Sequence, residues 1–307
     1  MSYWLWCFDY VFYFLGILIS VAFFTLFESK YLGYVNYRLG PSKVGFGGFF
    51  QPFSDAIKLF LKELGKGEFF VFYIFLLGPC FGIVLVGVLW GFVDSWYSFG
   101  GWFFAVLLFF CFSSLSVYFL IFCGWGSVGV YSFIGSCRAV AQSVSYEVSF
   151  VLFGLRFVFC LGLYDFFEFW FLQVGFWFSF FVFHLFLGWL FVCLVEGGRS
   201  PFDFREGESE LVSGFNVEYG SGVFSFIFIC EYCSLILFGY VRSLVFFGGF
   251  YMFLKVFLFV LFFVWIRGVL PRFRYDFLMF VGWVVFLPLS LAGLFFLFFS
   301  FLEMILY

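Results

Sequence analysis

The sequence predicts an all-α polytopic membrane protein with eight transmembrane helices, an interfacial amphipathic helix, and the longer loops gathered on one side of the bilayer. Composition, the length of the apolar runs and the placement of the cations predict it. Of the 307 residues, 65% are hydrophobic and 11% charged, against roughly 25% charged in soluble proteins. Phenylalanine alone fills 65 positions and aromatics make up 31%, more than a packed aqueous core of this size needs. A water-soluble enzyme is excluded, and the lipid bilayer solvates most of the surface. Lys and Arg number 15 against 18 Asp and Glu, a net charge of -3, which leaves no polybasic face for nucleic acid.

Runs of about 20 apolar residues cross a bilayer as helices, and such runs fall at 3–27, 69–93, 101–123, 139–163, 170–195, 219–241, 247–266 and 277–302. They make 1–307 a single membrane domain. The N-terminus carries neither the basic start of a signal peptide nor the Arg- and Ser-rich pattern of a transit peptide, so 3–27 is read as the first span. With eight spans, loops 28–68, 124–138, 196–218 and 267–276 share one side, and they hold twelve of the 15 cations. Arg156 and Arg242 lie toward the other side, and Lys255 is inside a span. The positive-inside rule turns the four richer loops to the cytoplasm or mitochondrial matrix and both termini to the opposite face. The bias toward Phe, Val, Gly, Cys and Trp fits a T- and G-rich coding strand in an organelle genome, so most Phe read as lipid-facing filler.

Within the first loop, Phe49, Phe53, Ala56, Ile57, Phe60, Leu61 and Leu64 recur at helical spacing. Gln51, Asp55, Lys58, Lys62 and Glu63 occupy the other side, so 49–64 reads as a helix in the interface plane with Pro52 in its first turn. An ordinary membrane anchor would show the same pattern.

Several motifs carry no chemistry. Gly124, Gly126 and Gly129 spell GxGxxG with Glu147 beyond it, but a dinucleotide fingerprint follows a short strand in a soluble βαβ unit, and here a long apolar run precedes it. Cys230 and Cys233 form CxxC inside a span with no second pair or histidine cluster, so a zinc or Fe–S site lacks ligands. The nine cysteines lie mostly in apolar runs, where the thiol acts as a small hydrophobe. His184 is the only histidine, which excludes a His-based metal centre. The GxxxG pairs Gly78/Gly82 and Gly87/Gly91 serve close helix packing.

Ionisable groups in or beside lipid remain. A charge at mid-membrane costs about 2.5–3.5 kcal/mol, so each requires a partner, a water-filled cavity or a function. Tyr146 and Glu147 sit early in the fourth span, Glu231 midway along the sixth, and Lys255 in the seventh. The densest group is EGGRSPFDFREGESELVSGFNVE, 196–218, where Glu196, Asp203, Glu206, Glu208, Glu210 and Glu218 face only Arg199 and Arg205. Its apolar rhythm of Pro201, Phe202, Phe204, Leu211, Val212 and Phe215 keeps it partly dry. Crowded carboxylates there cannot all ionise, and such a group can pass protons. Asp203, Glu206 and Glu210 share one face if that part of the loop is helical.

Four stretches at these residues, ESKYLGYVNYRLGPSKVGFGGFFQPFSDAIKLFLKE (28–63), GWGSVGVYSFIGSCRAVAQSVSYEV (124–148), EGGRSPFDFREGESELVSGFNVEY (196–219) and RGVLPRFRYDFLM (267–279), resemble the subunit 1 family of respiratory complex I, the proton-pumping NADH:ubiquinone oxidoreductase. The resemblance runs from about Glu28 to Ala292. It implies eight helices in the mitochondrial inner membrane with both termini in the intermembrane space. Their matrix loops would wall the membrane side of a quinone chamber, closed by two hydrophilic partner subunits. Ubiquinone would be the substrate, with NADH, FMN and Fe–S clusters confined to partner subunits and antiporter-like membrane subunits as lateral partners. Carried over residue by residue, the quinone-side group is Glu28, Arg38, Gln51, Asp55, Lys58, Glu63, Arg199, Arg272 and Arg274. The proton-side group is Tyr146, Glu147, Glu196, Asp203, Glu206, Glu210 and Glu231.

The chain departs from the family pattern at Ser29, where an Arg is usual, at Gly197-Gly198 in place of Thr-Asn, and at Arg205, where a small or apolar residue is usual. KELGKG replaces KEPLKP, and Phe277 replaces Gln. Arg205 is expected to compensate for the guanidinium absent at Ser29. The buried acids alone would also allow a stand-alone proton-coupled transporter, but no internal repeat supports one. A scaffold without chemistry would not retain Glu147, Glu231 and six loop acids.

Overall fold

The computed structural model describes residues 2–63, 71–93, 104–205 and 214–306. Helices α1 (Ser2–Val35), α2 (Gln51–Leu61), α3 (Phe72–Val93), α4 (Ala105–Ser114), α5 (Ser116–Gly126) and α6 (Val130–Leu161) form the first half. Helices α7 (Phe166–Leu172), α8 (Phe178–Phe181), α9 (Phe183–Glu196), α10 (Ser221–Phe247), α11 (Met252–Val269), α12 (Tyr275–Phe280) and α13 (Leu287–Leu306) form the second. Among the described residues there is no strand. Seven stretches are long and apolar enough to cross a membrane, α4 and α5 counting as one and the α12–α13 region as another, with Phe183–Glu196 as a shorter apolar helix. The chain is an all-α polytopic membrane protein.

Several boundaries differ from the sequence expectation. The first span does not stop at 27, because ESKYLGYV contains no proline and its single glycine is tolerated within the helix. It runs to Val35 and ends at Tyr37, which adopts φ 54°, so Glu28 and Lys30 lie on the helix. The expected loop 124–138 is mostly helix, and only 127–129 turn, with Val128 at φ 53°. From Val130 onward, Ser132, Gly135, Ser136 and Ala139 recur on one buried face of α6, where small residues permit close approach. The third span is interrupted at Leu115 between α4 and α5.

The expected fifth span, 170–195, is three pieces. Gln173 is buried between α7 and α8. It donates from Nε2 to the Val245 carbonyl at 2.7 Å and accepts from the Gly248 N–H at 2.9 Å, so it caps the end of α10. In the last span a π-turn, Val281–Phe286, separates α12 from α13 and brings Gly282 against the Tyr146 ring.

The α6 face carrying Phe150, Phe153 and Phe157 forms the centre of the bundle. Phe110 meets Phe150 edge-on at 5.3 Å, and Phe157 meets Phe246 likewise at 4.6 Å, the edge-to-face geometry aromatic quadrupoles favour. Phenylalanine therefore serves core and lipid surface alike: Phe296 and Phe253 are exposed while Phe109 and Phe153 are fully buried. Amphipathic α2 lies across α1 and α10, with Phe23 against Phe49 at 5.2 Å and Phe60 against Phe226 at 6.0 Å. Its Phe53 and Ile57 remain exposed, available to lipid. Lys30 Nζ donates to the Gly47 carbonyl and pins the turn that leads into α2.

Candidate functional site

The end of α1, the exit from α9, the third turn of α10 and the end of α11 converge on a row of buried charges. Glu28 on α1 is paired through Oε1 with Arg267 at the end of α11 and accepts at Oε2 from the Tyr232 hydroxyl, 2.7 Å away. The Tyr232 ring also lies 4.2 Å beneath the Arg199 guanidinium, a cation–π contact. Arg199 in turn donates to Glu231 Oε2 at 3.3 Å. Tyr232 thus joins two ion pairs. Further along, Arg205 Nη2 stands 3.8 Å from Glu196 Oε1, and Arg272 Nη2 stands 3.6 Å from Asp203 Oδ2. Glu231 also senses Arg205 and Asp203, and Glu196 is the charged neighbour of Glu147. The side chains of Arg199, Glu231, Arg205 and Glu196 are each only 12% exposed. Breaking one side of such a pair leaves an uncompensated charge and costs about 3–5 kcal/mol.

Two small cavities adjoin the row. One of about 20 Å³ touches Glu28, Arg199, Ser200 and Arg267. Another of about 70 Å³ is walled by Glu196, Arg205, Glu231 and Ser234 and reaches Ser113 and Ser116 beside the α4–α5 interruption. The second is largely apolar, with Leu85, Leu89 and Phe119 among its walls, but has room for water beside its charged and hydroxyl groups. Backbone contacts hold the frame: Gln142 of α6 donates to the Val195 and Phe202 carbonyls, both at 3.1 Å. The Phe273 N–H donates to the Pro201 carbonyl at 3.1 Å. Tyr146 is fully buried and donates to the Leu278 carbonyl at 2.7 Å, fastening α6 to α12. Glu147 is half-buried, its Oε1 turned inward without a hydrogen-bond partner among the described residues. The row can hold, neutralise and exchange charge among alternating carboxylates and guanidiniums.

The family model described as NADH dehydrogenase matches residues 8–298. The chain belongs to the NADH dehydrogenase family. Relatives called NADH-ubiquinone oxidoreductase chain 1 align along nearly the whole length. That of Anopheles gambiae is 48% identical over 287 residues, covering 91% of this chain and 90% of the relative. Those of Aedes aegypti and Balaenoptera physalus are 47% and 40% identical over 289 residues, with 91% of both chains covered in each case.

In this NADH dehydrogenase family chain the fold divides the residues singled out from sequence. Glu28, Arg199, Glu196, Asp203 and Glu231 meet in the row, with Tyr146 and Glu147 beside it. Arg272 is exposed yet reaches Asp203. Gln51 donates to Asp55 at 3.0 Å on the polar side of α2, while Arg38, Lys58, Glu63 and Arg274 are exposed at the rim, outside the row. Glu206 and Glu210 lie outside the described residues. The described chain at Asp203 is not helical, so the expected shared face does not begin there.

Three residues of this charged row and its frame escaped sequence reasoning. Tyr232 and Arg267 were visible as neighbours of Glu231 and as the opening cation of RGVLPRFR, but nothing in spacing brings either to Glu28. Gln142 carried no signal beyond being a polar side chain in a span. The expected compensation between Arg205 and Ser29 is overturned. The Ser29 hydroxyl bonds to the Leu26 carbonyl at 2.9 Å, Arg267 supplies the guanidinium at Glu28, and Arg205 engages Glu196.

Proposed function

We propose that this chain walls the membrane side of the quinone chamber in a proton-pumping NADH:ubiquinone oxidoreductase and carries the charge of quinone reduction laterally through its carboxylates. Family membership and the apolar helices make it a multi-pass complex I subunit of the mitochondrial inner membrane. The observation that carries the finer reading is the buried row itself. A lipid-embedded chain keeps so many charges out of water only where they are paired and put to use. NADH, FMN and the Fe–S clusters stay in partner subunits, so no electron passes through this chain.

Ubiquinone enters from the bilayer beside α1 and α2, where Phe53 and Ile57 face lipid, and its ring approaches the Glu28 and Arg199 end. Arg38, Gln51, Asp55, Lys58, Glu63, Arg272 and Arg274 border the chamber and meet the two hydrophilic partner subunits. Quinone reduction leaves negative charge that protons must meet. A proton taken up at Glu231 releases Arg199 from its pair, and the freed guanidinium strengthens its hold on a neighbouring acid. The same exchange repeats at Asp203 with Arg272 and at Glu196 with Arg205, and it ends at Glu147, beside Tyr146, toward the antiporter-like subunits. Glu206 and Glu210, in the same loop sequence, are assigned to the same proton-side group. Side-chain rearrangement suffices, because every described acid of the row has a cation or another acid within electrostatic reach. The cation-rich loops face the matrix, and both termini face the intermembrane space.

The test is Glu231→Gln and Glu147→Gln in the assembled complex. NADH–quinone reductase activity and proton pumping are expected to fall together, while NADH–ferricyanide activity and complex content persist. Wild-type quinone reduction and pumping in both variants would sink the relay.

A further inference from the structure

We infer that Arg205 is a positioning residue for the carboxylate row, seated on the bare backbone of Gly198 so that its guanidinium bridges Glu196 to Glu231. The inference rests on the proposed relay and names the cation that makes the row continuous.

Gly198 adopts φ +60°, and a Cβ built there would lie 3.0, 3.1 and 3.2 Å from Cδ, Nε and Cζ of Arg205. The side chain therefore lies flat on the one face of the turn that carries no substituent. A side chain at 198 would be strained by the left-handed backbone and would also push the guanidinium off its seat. From that seat Arg205 pairs with one acid and shares a cavity with a second. Its Nη2 stands 3.8 Å from Glu196 Oε1, and its charge acts on Glu231. All three residues line the cavity of about 70 Å³. A separation of 3.8 Å is longer than a direct hydrogen bond and suits an ion pair with water beside it. Arg205 Nε and Glu196 Oε2 are both buried with no hydrogen-bond partner among the described residues, so both have capacity for such water.

The position matters because of what lies on either side. Glu231 has a second guanidinium, Arg199, at 3.3 Å. Glu196 has Arg205, and its other charged neighbour is the acid Glu147. Without Arg205, Glu196 and Glu147 become adjoining carboxylates with no ion-pair partner among the described residues, and the alternation of charge ends at that point.

The test uses the assembled complex, with NADH–quinone reductase activity expressed relative to NADH–ferricyanide activity. Arg205→Met should lower that ratio by roughly tenfold or more, since removing one member of a buried pair leaves the other uncompensated. Arg205→Lys, which keeps the charge without the flat guanidinium, should recover a large part of the loss, a rescue that a purely packing role would not give. Gly198→Ala should behave like Arg205→Met, and in the Arg205→Met background it should add little further loss. Equal fractional losses from Gly198→Ala in both backgrounds would overturn the seat. A wild-type ratio in Arg205→Met while Glu231→Gln remains impaired would overturn the role of Arg205 and leave the relay standing. Wild-type ratios in Arg205→Met and Glu231→Gln alike would remove the relay as well. If the Arg205→Met complex does not assemble, Gly198→Ala decides alone, and a wild-type ratio there overturns the inference.

Discussion

Replacing Arg267 by methionine preserves the bulk of the side chain and removes the cation facing Glu28. The Glu28 side chain is 8% exposed and has two partners, Arg267 at Oε1 and the Tyr232 hydroxyl at Oε2, 2.7 Å away. Removing one partner of a buried pair costs about 3–5 kcal/mol where nothing else supports the survivor. Here the Tyr232 bond remains, and a hydrogen bond to a charged group is worth about 1.5–3 kcal/mol. Arg267 is itself 32% exposed, which lowers the value of its charge further. The net loss works out at about 1–2 kcal/mol, a factor of about 5–30 in an equilibrium between intact and opened local structure. Thermal inactivation of the assembled complex measures it as a rate, since a large membrane assembly does not unfold reversibly. Arg267→Met should inactivate faster by about that factor, and adding Glu28→Gln should restore most of the lifetime by removing the orphaned charge. A wild-type inactivation rate for Arg267→Met, or a further loss on adding Glu28→Gln, would refute the pairing argument.

Replacing Ile57 or Phe60 by Asp should impair reduction of long-tailed quinones more than short-tailed ones, because the exposed apolar side of α2 borders the entry; equal loss for both tails would make α2 a simple anchor. Tyr146→Phe deletes the 2.7 Å bond to the Leu278 carbonyl and should cost about 1–3 kcal/mol, the penalty for leaving a buried acceptor short of a donor, seen as reduced complex content on native gels. Gly126→Ala places a Cβ 2.7 Å from the Phe75 N and Cα, backbone that cannot swing aside. It should lower complex content by the equivalent of about 1–3 kcal/mol of overpacking, whereas Gly220→Ala, with nothing within 4 Å of the new carbon, should leave it unchanged.

The helical membrane class was legible because apolar runs of spanning length depend only on local composition, and the charged loop 196–218 stood out because acids are rare elsewhere in this chain. What stayed hidden was whatever a distant partner decides. Gln173 follows the end of α7 and its side chain caps α10, a role set by residues some 70 positions away. The α6 start at Val130 was obscured because its small, weakly polar residues look like loop until α5 packs against them. In the site, the acids could be named individually, but their partners could not. Arg267 meets Glu28 across a separation of 239 residues, and Tyr232 does so across 204. The interruption at Leu115 has no Gly or Pro to mark it, and nothing in the structure explains it beyond the serines on either side.

The central claim is that the carboxylates of this row change protonation when quinone changes redox state, and redox-induced infrared difference spectroscopy on the assembled complex observes that event directly. Reduction of bound quinone is expected to alter the carboxyl C=O stretching region in the wild-type complex, with one component of the change missing in Glu231→Gln and another missing in Glu147→Gln. Difference spectra in that region identical among the wild type and both variants would contradict the account.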